Sequence, residues 1–408
     1  MKLVHLAFAC VCLLILCSCA TDRSADSMVK PTAGHDGLPG DTTMNQDAGR
    51  GAWLMVPVRL AGGGELPFVL DTGSPATSLD RSLEPKLGKL VKRGTNLIFG
   101  VKQEAGFYAA PALYWGDTPL SKTGYYVDTL DFRRLGPFIG TPPMGILGMD
   151  VLSHYCIQLD FSAGKIRFLN DAQADKSTWG KPFPLTRIVG GCFLTRENLT
   201  GANGLGSLID TGHNGDGWLQ PQYYRQWTNH FLAPGEGEVR SPDGVLGGEI
   251  YPDVNNLQVL DDKLIWSGDV KLRFNGIGLH LLSRNLVTLD FPNQTMYLKR
   301  TSKKALPTPA VDAMVDSAGR SAVKYLLSLK RKGRLPGWSK HDSGSLTGRV
   351  RFTFYFPDRV KFNDIRKNGD ASVYHYEVSR MPKADPWKLD KAWRTDATGR
   401  MIEEYPVP

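Results

Sequence analysis

The chain has 408 residues, 41% of them apolar, enough for two or three domains with cores of their own. Its formal charge of +8 is unevenly placed: from Lys303 to the end there are 21 Lys+Arg against 12 Asp+Glu, a net of +9, which leaves −1 on the remainder. The basic C-terminal part can face anionic lipid, cell-wall polymer or nucleic acid, or simply be a solvated surface, which is the plainer reading.

Four of the six cysteines fall within the first nineteen residues. Lys2 is followed by an apolar run over residues 3–16 and then Cys17-Ser18-Cys19. A charged start, an apolar middle and a small-residue exit make a signal segment, and no stretch is long and apolar enough to span a bilayer. The ending Leu16-Cys17-Ser18-Cys19 resembles a bacterial lipobox, with Cys17 a mild departure. That resemblance implies cleavage before Cys19, lipidation of Cys19, and a chain anchored to a membrane, with Ala20 favouring the outer membrane. Ordinary secretion with cleavage nearby is the alternative. Residues 20–50 are rich in Ser, Thr, Asp, Gly and Pro and predict a disordered tether.

Residues 53–60 predict a strand, Ala61-Gly62-Gly63-Gly64 a turn, and residues 66–70 a second strand that ends at Asp71-Thr72-Gly73-Ser74. Residues 96–115 predict paired strands with a glycine-marked tip near Gly100 to Gly106, flanked by Tyr108 and Tyr114. The pattern then repeats. At an offset of 139, RLAGGGELPFVLDTG (59–73) lies over NLTGANGLGSLIDTG (198–212). At an offset of 130, residues 146–168 lie over 276–298, matching Gly148 to Gly278 and Asp160-Phe161 to Asp290-Phe291. Two copies of one fold that differ in loop length produce this pattern. Residues 218–231 are aromatic-rich with helical character, and 244–251 stand where a second glycine-tipped hairpin falls by order, loosely matching Phe107-Tyr108 to Ile250-Tyr251.

Paired DTG motifs, each followed by a Gly segment (Ile146-Leu147-Gly148 and Gly276-Ile277-Gly278), resemble the aspartic peptidases over residues 52–300. The lobe size is nearer the retropepsin kind than pepsin. The resemblance implies a mainly β fold of two retropepsin-like β-barrel lobes related by a pseudo-two-fold axis, over 51–182 and 183–302. It makes Asp71 and Asp210 the catalytic pair. Thr72 and Thr211 would cross-bond beneath it, Gly73 and Gly212 would allow the tight turns, and Ser74 would hydrogen-bond the outer oxygen of Asp71. Tyr108 and Tyr251 are flap candidates. Two adjacent carboxylates suit hydrolysis because they cannot both ionise, so one is base while the other is acid at the same pH. The second loop departs from the pattern at His213-Asn214-Gly215-Asp216-Gly217. His213 as an imidazolium would lower the pair's pKa values; pointing to solvent, it would do nothing.

Cys156 and Cys192 either bridge the lobes as a disulfide or stay buried as thiols. Residues 303–408 predict a small α+β domain: a linker, an amphipathic helix over 310–330, and an antiparallel sheet with alternation at Val350, Phe352, Phe354 and Phe356, then Tyr374, Tyr376 and Val378, and a final hairpin over 387–405. His375 stands alone on a strand face, a structural residue. No metal-ligand spacing, Walker motif or dinucleotide glycine motif occurs, so no metal or cofactor is expected. The expected protein is a monomeric, lipid-anchored aspartic endopeptidase of the bacterial envelope that takes peptide or protein substrates and no nucleic acid. A protease-fold peptide-binding or scaffold lipoprotein without turnover is the alternative.

Overall fold

The computed structural model describes residues 37–407 apart from 99–100, 122–123, 133–142, 189, 202–205, 221–222, 224–226, 228–242, 255–256, 260–265, 268–269, 272–273, 309–320, 323, 339–349, 352–358, 366–372, 380–386 and 397–399. The signal segment with Cys19, the first part of the tether, most of the helical stretch after Trp218 and the alternation at Phe352 to Phe356 lie outside the described residues.

The first lobe starts with β1 (Thr42–Thr43), β2 (Met55–Leu60) and β3 (Glu65–Leu70). β2 and β3 pair antiparallel across the Gly-rich turn. β3 ends in Phe68-Val69-Leu70, all buried, because this end of the strand is covered on both faces. β4 (Ser78–Asp80), β5 (Leu90–Ile98), β6 (Val101–Ala109), β7 (Leu113–Trp115), β8 (Thr118–Pro119), β9 (Tyr126–Leu130) and β10 (Gly145–Leu147) follow. They form a nine-stranded sheet of order β5-β6-β9-β4-β10-β3-β2-β7-β8. β10 runs parallel to β3, so the chain leaves it beside Asp71, whose N–H donates to Leu147 O at 3.0 Å. A four-residue helix (Met149–Leu152) and a hairpin of β11 (Cys156–Asp160) and β12 (Lys165–Leu169) close the lobe.

The second lobe repeats the plan. It contains β13 (Lys181–Arg187), β14 (Phe193–Thr195), β15 (Ser207–Asp210), β16 (Gly217–Leu219), β17 (Gly244–Leu246), β18 (Glu249–Tyr251), β19 (Leu257–Val259), β20 (Trp266–Ser267), β21 (Val270–Lys271) and β22 (Asn275–Gly278). A helix (Leu279–Leu282) leads to the closing hairpin of β23 (Asn285–Asp290) and β24 (Thr295–Arg300). β22 lies parallel to β15 as β10 does to β3.

The lobes join through their closing hairpins. β11 pairs antiparallel with β23, with Gln158 opposite Thr288. These two are equivalent in the repeat, and Gln158 Nε2 donates to Thr288 Oγ1 at 3.0 Å. A residue that faces its own repeat mate marks the pseudo-two-fold axis. Around this seam the buried Ile157, Leu159, Val287 and Leu289 belong to one core that runs through both lobes. Each such side chain contributes about 1.5–3 kcal/mol by leaving water.

Three expectations change. Residues 37–50 are not a free tether: β1 pairs with β12 much as β13 pairs with β24, Trp115 Nε1 donates to Gly40 O at 3.0 Å, and Met44 and Ala48 are buried. This segment is the first strand of lobe one, hidden in the sequence because two residues carry no readable alternation. Trp218 lies in β16, a strand. The hairpin β17–β18 is not a second flap: Val245 bridges Thr200, just past the residue that the repeat sets over the end of β2, so the hairpin takes the place of β7–β8, though its bridge is parallel where β7 pairs antiparallel with β2.

In the C-terminal part, β25 (Val350–Arg351), β26 (Arg359–Ile365), β27 (Val373–Ser379), β28 (Lys388–Thr395) and β29 (Met401–Tyr405) form a five-stranded antiparallel meander. Ala322, Leu326 and Leu329, from a helical stretch, share a core with Tyr374, Tyr376, Val378 and Leu389. His375 stacks on Trp393 at 4.9 Å, with Nε2 2.9 Å from Thr395 Oγ1, a structural position.

Candidate active site

β3 and β15 each deliver one aspartate to the axis. Asp71 Oδ1 accepts the N–H groups of Gly73 (2.8 Å) and Ser74 (3.1 Å). Asp210 Oδ1 accepts those of Gly212 (2.8 Å) and His213 (3.1 Å). The two loops therefore hold their carboxyls alike, despite different residues at the fourth position.

The threonines lock the loops together. Thr72 Oγ1 donates to Ile209 O (2.7 Å) and accepts from Thr211 N (3.1 Å). Thr211 Oγ1 donates to Leu70 O (2.7 Å) and accepts from Thr72 N (3.0 Å). Each hydroxyl spends its one proton across the axis, and all four bonds are buried, where they are hard to replace with water.

Each loop also lies against the other lobe's aspartate. A methyl group on Gly73 would sit 2.5 Å from Asp210 Cγ, and one on Gly212 would sit 2.4 Å from Asp71 Cγ. Only glycine fits either place. The two carboxyls lie at the axis, each against the other loop's glycine, and are 1% and 3% exposed. Burial pushes Asp71 up to about 6, against the opposing backbone N–H groups. Burial and then the charge of Asp71 push Asp210 well above the usual carboxylate range. Two carboxylates in contact repel; one proton between them turns the contact into a hydrogen bond. The site can hold one acid and one base side by side.

Other candidates lie elsewhere. The Ser74 hydroxyl turns to Ala76 O (2.9 Å), so only its amide serves Asp71. His213 is neither a cation beside the pair nor in solvent. It is fully buried, its Nδ1 accepts from Gly215 N at 3.2 Å and so carries no proton, and its ring lies 5.4 Å from that of Trp218. Tyr108 is buried in the lobe-one core near the base of the β5–β6 hairpin, beside Glu84. Tyr251 is buried too, its hydroxyl donating to Asn285 Oδ1 (2.9 Å) beneath the Arg300 guanidinium at 3.6 Å. Tyr114 sits under Arg59 at 4.4 Å. These aromatics fill or brace sheets rather than a flap, and the tip of β5–β6, residues 99–100, lies outside the described residues.

No bridge joins Cys156 and Cys192: both are buried free thiols. Cys156, opposite Asp290 on β23, is pushed up to about 12 by burial and by Asp290 and Asp171. Cys192 donates from Sγ to Gly73 O at 3.5 Å. The shared sheet and the threonine lock hold the lobes instead. Among the described residues no group of His, Cys, Asp and Glu could hold a metal ion.

One cluster escaped the sequence reading. Asp216 Oδ1 lies 3.0 Å from His280 Nδ1 and 3.3 Å from Arg284 Nη2, all three side chains essentially buried. The signal was in the repeat. The two offsets put Asp216 over Thr77 and His280 over Asp150, and in lobe one Thr77 Oγ1 donates to Asp150 Oδ1 at 2.7 Å.

No family model and no curated protein matches the chain. Among solved structures it is similar to basic 7S globulin from soybean (13% identity, TM-score 0.41, covering 64% of this chain and 95% of that one). It is also similar to the aspartic proteinase from Irpex lacteus (14% identity, TM-score 0.41, covering 64% and 97%). The strand order and shared central sheet define a mainly β, two-lobed, pepsin-like fold with a small C-terminal domain.

Proposed function

We propose that the protein is an aspartic endopeptidase in which Asp71 and Asp210 share one proton and activate a water molecule. The observation that carries this reading is the pair itself: two buried carboxyls brought to the axis against each other's loops, with matched backbone donors. In the single-proton state Asp71, the more easily ionised, takes a proton from water as its oxygen attacks the peptide carbonyl. Asp210 gives its proton to the carbonyl oxygen, forming a gem-diol. Asp71 then gives its proton to the nitrogen while Asp210 takes one from the gem-diol, so that the carbonyl re-forms as the C–N bond breaks, releasing an amine and a carboxylic acid and restoring the single-proton pair. The chain supplies both acids, so a monomer suffices. The substrate would be an extended peptide between the lobes. Lipidation of Cys19 would hold the enzyme to a bacterial envelope membrane.

The irregular second loop does not favour an inactive scaffold, since Asp210 keeps the same two N–H donors at the same distances as Asp71. Assays on casein and a peptide library across pH test the reading. Wild type should cleave, and Asp71→Asn and Asp210→Asn should each lose at least about a thousandfold, roughly 4 kcal/mol of transition-state stabilisation. Undiminished turnover in both variants would reject the pair.

A further inference from the structure

The buried cluster behind Asp210 has a chemistry that the first lobe lacks. His280 Nε2 lies 2.9 Å from Leu306 O, in the linker to the C-terminal domain, while Nδ1 lies 3.0 Å from Asp216 Oδ1. A carbonyl oxygen and a carboxylate both only accept hydrogen bonds. The Nδ1–Asp216 approach is a close charge contact rather than an aligned hydrogen bond; a neutral ring that donates from Nε2 to Leu306 would set an unprotonated Nδ1 against the carboxylate, whereas the imidazolium makes that contact an ion pair. The positive charge has its partner in Asp216. Arg284, which also faces Asp216, donates from Nη1 to Pro252 O and from Nη2 to Asp253 O, just after β18.

Asp216 sits in the loop that follows Asp210. Gly278 N donates to Asp216 O (2.9 Å), Leu279 N to His213 O (2.7 Å) and His280 N to Gly215 O (3.0 Å), so this loop rests on the helix that carries His280. His213 N in turn donates to Asp210. Thr301 N and Ser302 N both donate to Arg284 O at 3.0 Å, so the linker leaves the lobe from the same cluster.

We infer that His280 is a positioning residue for Asp210: as an imidazolium it holds Asp216 and the loop behind the second carboxyl, and with its other nitrogen it fastens the linker of the C-terminal domain at Leu306. The positioning half rests on the peptidase reading; the charge and the linker contact do not. The charged groups around the ring are Asp216 on the loop, Arg284 after the helix, Asp253 after β18 and Arg300 at the end of β24. Burial alone would lower the ring's pKa, but Asp216 and the Leu306 carbonyl outweigh it and raise it above the ordinary 6.5. A group raised on folding adds stability below its unfolded pKa and loses it as pH rises through the folded value. The fastening should therefore be present in mild acid and weaken as pH rises through the folded His280 titration.

Two readouts on the full chain test this. Amide hydrogen exchange over 301–306 and 213–217, corrected for intrinsic chemistry, should accelerate about tenfold in wild type as pH rises through the His280 titration, the loss of one charge-assisted hydrogen bond. His280→Gln, which keeps an N–H donor but no titration, should show no such step. In the kinetic arm, His280→Gln should lower kcat about tenfold below the titration with KM little changed, while keeping the acidic limb set by Asp71. Asp216→Thr/His280→Asp installs the lobe-one pair. It should fold, recover kcat, and show no exchange step even if His280→Gln fails to fold. A pH-flat linker in wild type, or the same step in either variant, would overturn the charge and linker contact. A wild-type pH profile and kcat in His280→Gln would overturn the positioning. If wild type cleaves nothing, the peptidase reading and the positioning fall together, while the exchange step still decides the linker contact.

Discussion

The cost of the site is carried by single residues. Asp71 is buried and raised to about 6 from 3.8, so the folded chain binds its proton more tightly than the unfolded chain does. The stability this confers is present below 3.8 and disappears as pH rises through about 6. Above that pH the ionised carboxylate is a liability of about 2–3 kcal/mol that asparagine would not share. Asp71→Asn should therefore melt like wild type near pH 4 and several degrees higher near pH 7.5, while losing activity. A lower melting temperature at both pH values would refute this. The residue types at the site were legible because Asp, Thr and Gly recur at one spacing. Side-chain directions were not. Ser74 and His213 hold the right positions in sequence, but whether a hydroxyl turns to Asp71 or to Ala76, and whether an imidazole meets solvent or Gly215, depends on contacts the sequence does not order.

At the scale of elements, long strands with strong alternation were readable: β2, β3, β23, β24, β27 and the final hairpin fall close to where apolar periodicity puts them. Elements defined by their partners were not. β1 is two residues long and exists because β12 offers it an edge. The hairpin β17–β18 keeps the chain order of a flap but takes the place of β7–β8, since the two lobes differ in the length of their middle sections. The start of the folded body makes a testable claim. Deleting residues 37–50 removes the β1 pairing, the Gly40 partner of Trp115 and the Gly49 carbonyl that accepts from Ser283. This should cost about 5 kcal/mol, counting roughly 1 kcal/mol for each of the three lost contacts plus about 2 kcal/mol for the burial of Met44. Denaturant melts of the two forms check it; equal midpoints would restore the tether reading.

At the scale of the molecule, duplication places two acids from distant parts of the chain at one point. Offsets of 139 and 130 carry this, and the axis passes both Thr72/Thr211 and Gln158/Thr288. The proposed membrane address is a separate claim: Cys19→Ala should move the protein from the membrane to the soluble fraction, and firm membrane retention would reject lipidation. The central claim is that Asp71 and Asp210 share a single proton. Carboxyl carbon-13 NMR of the pair across pH measures it most directly. Two separate steps, the first near 6 and the second above the ordinary carboxylate range and higher than the first, with one proton retained between them, are predicted. Two independent titrations in the ordinary carboxylate range would contradict the account.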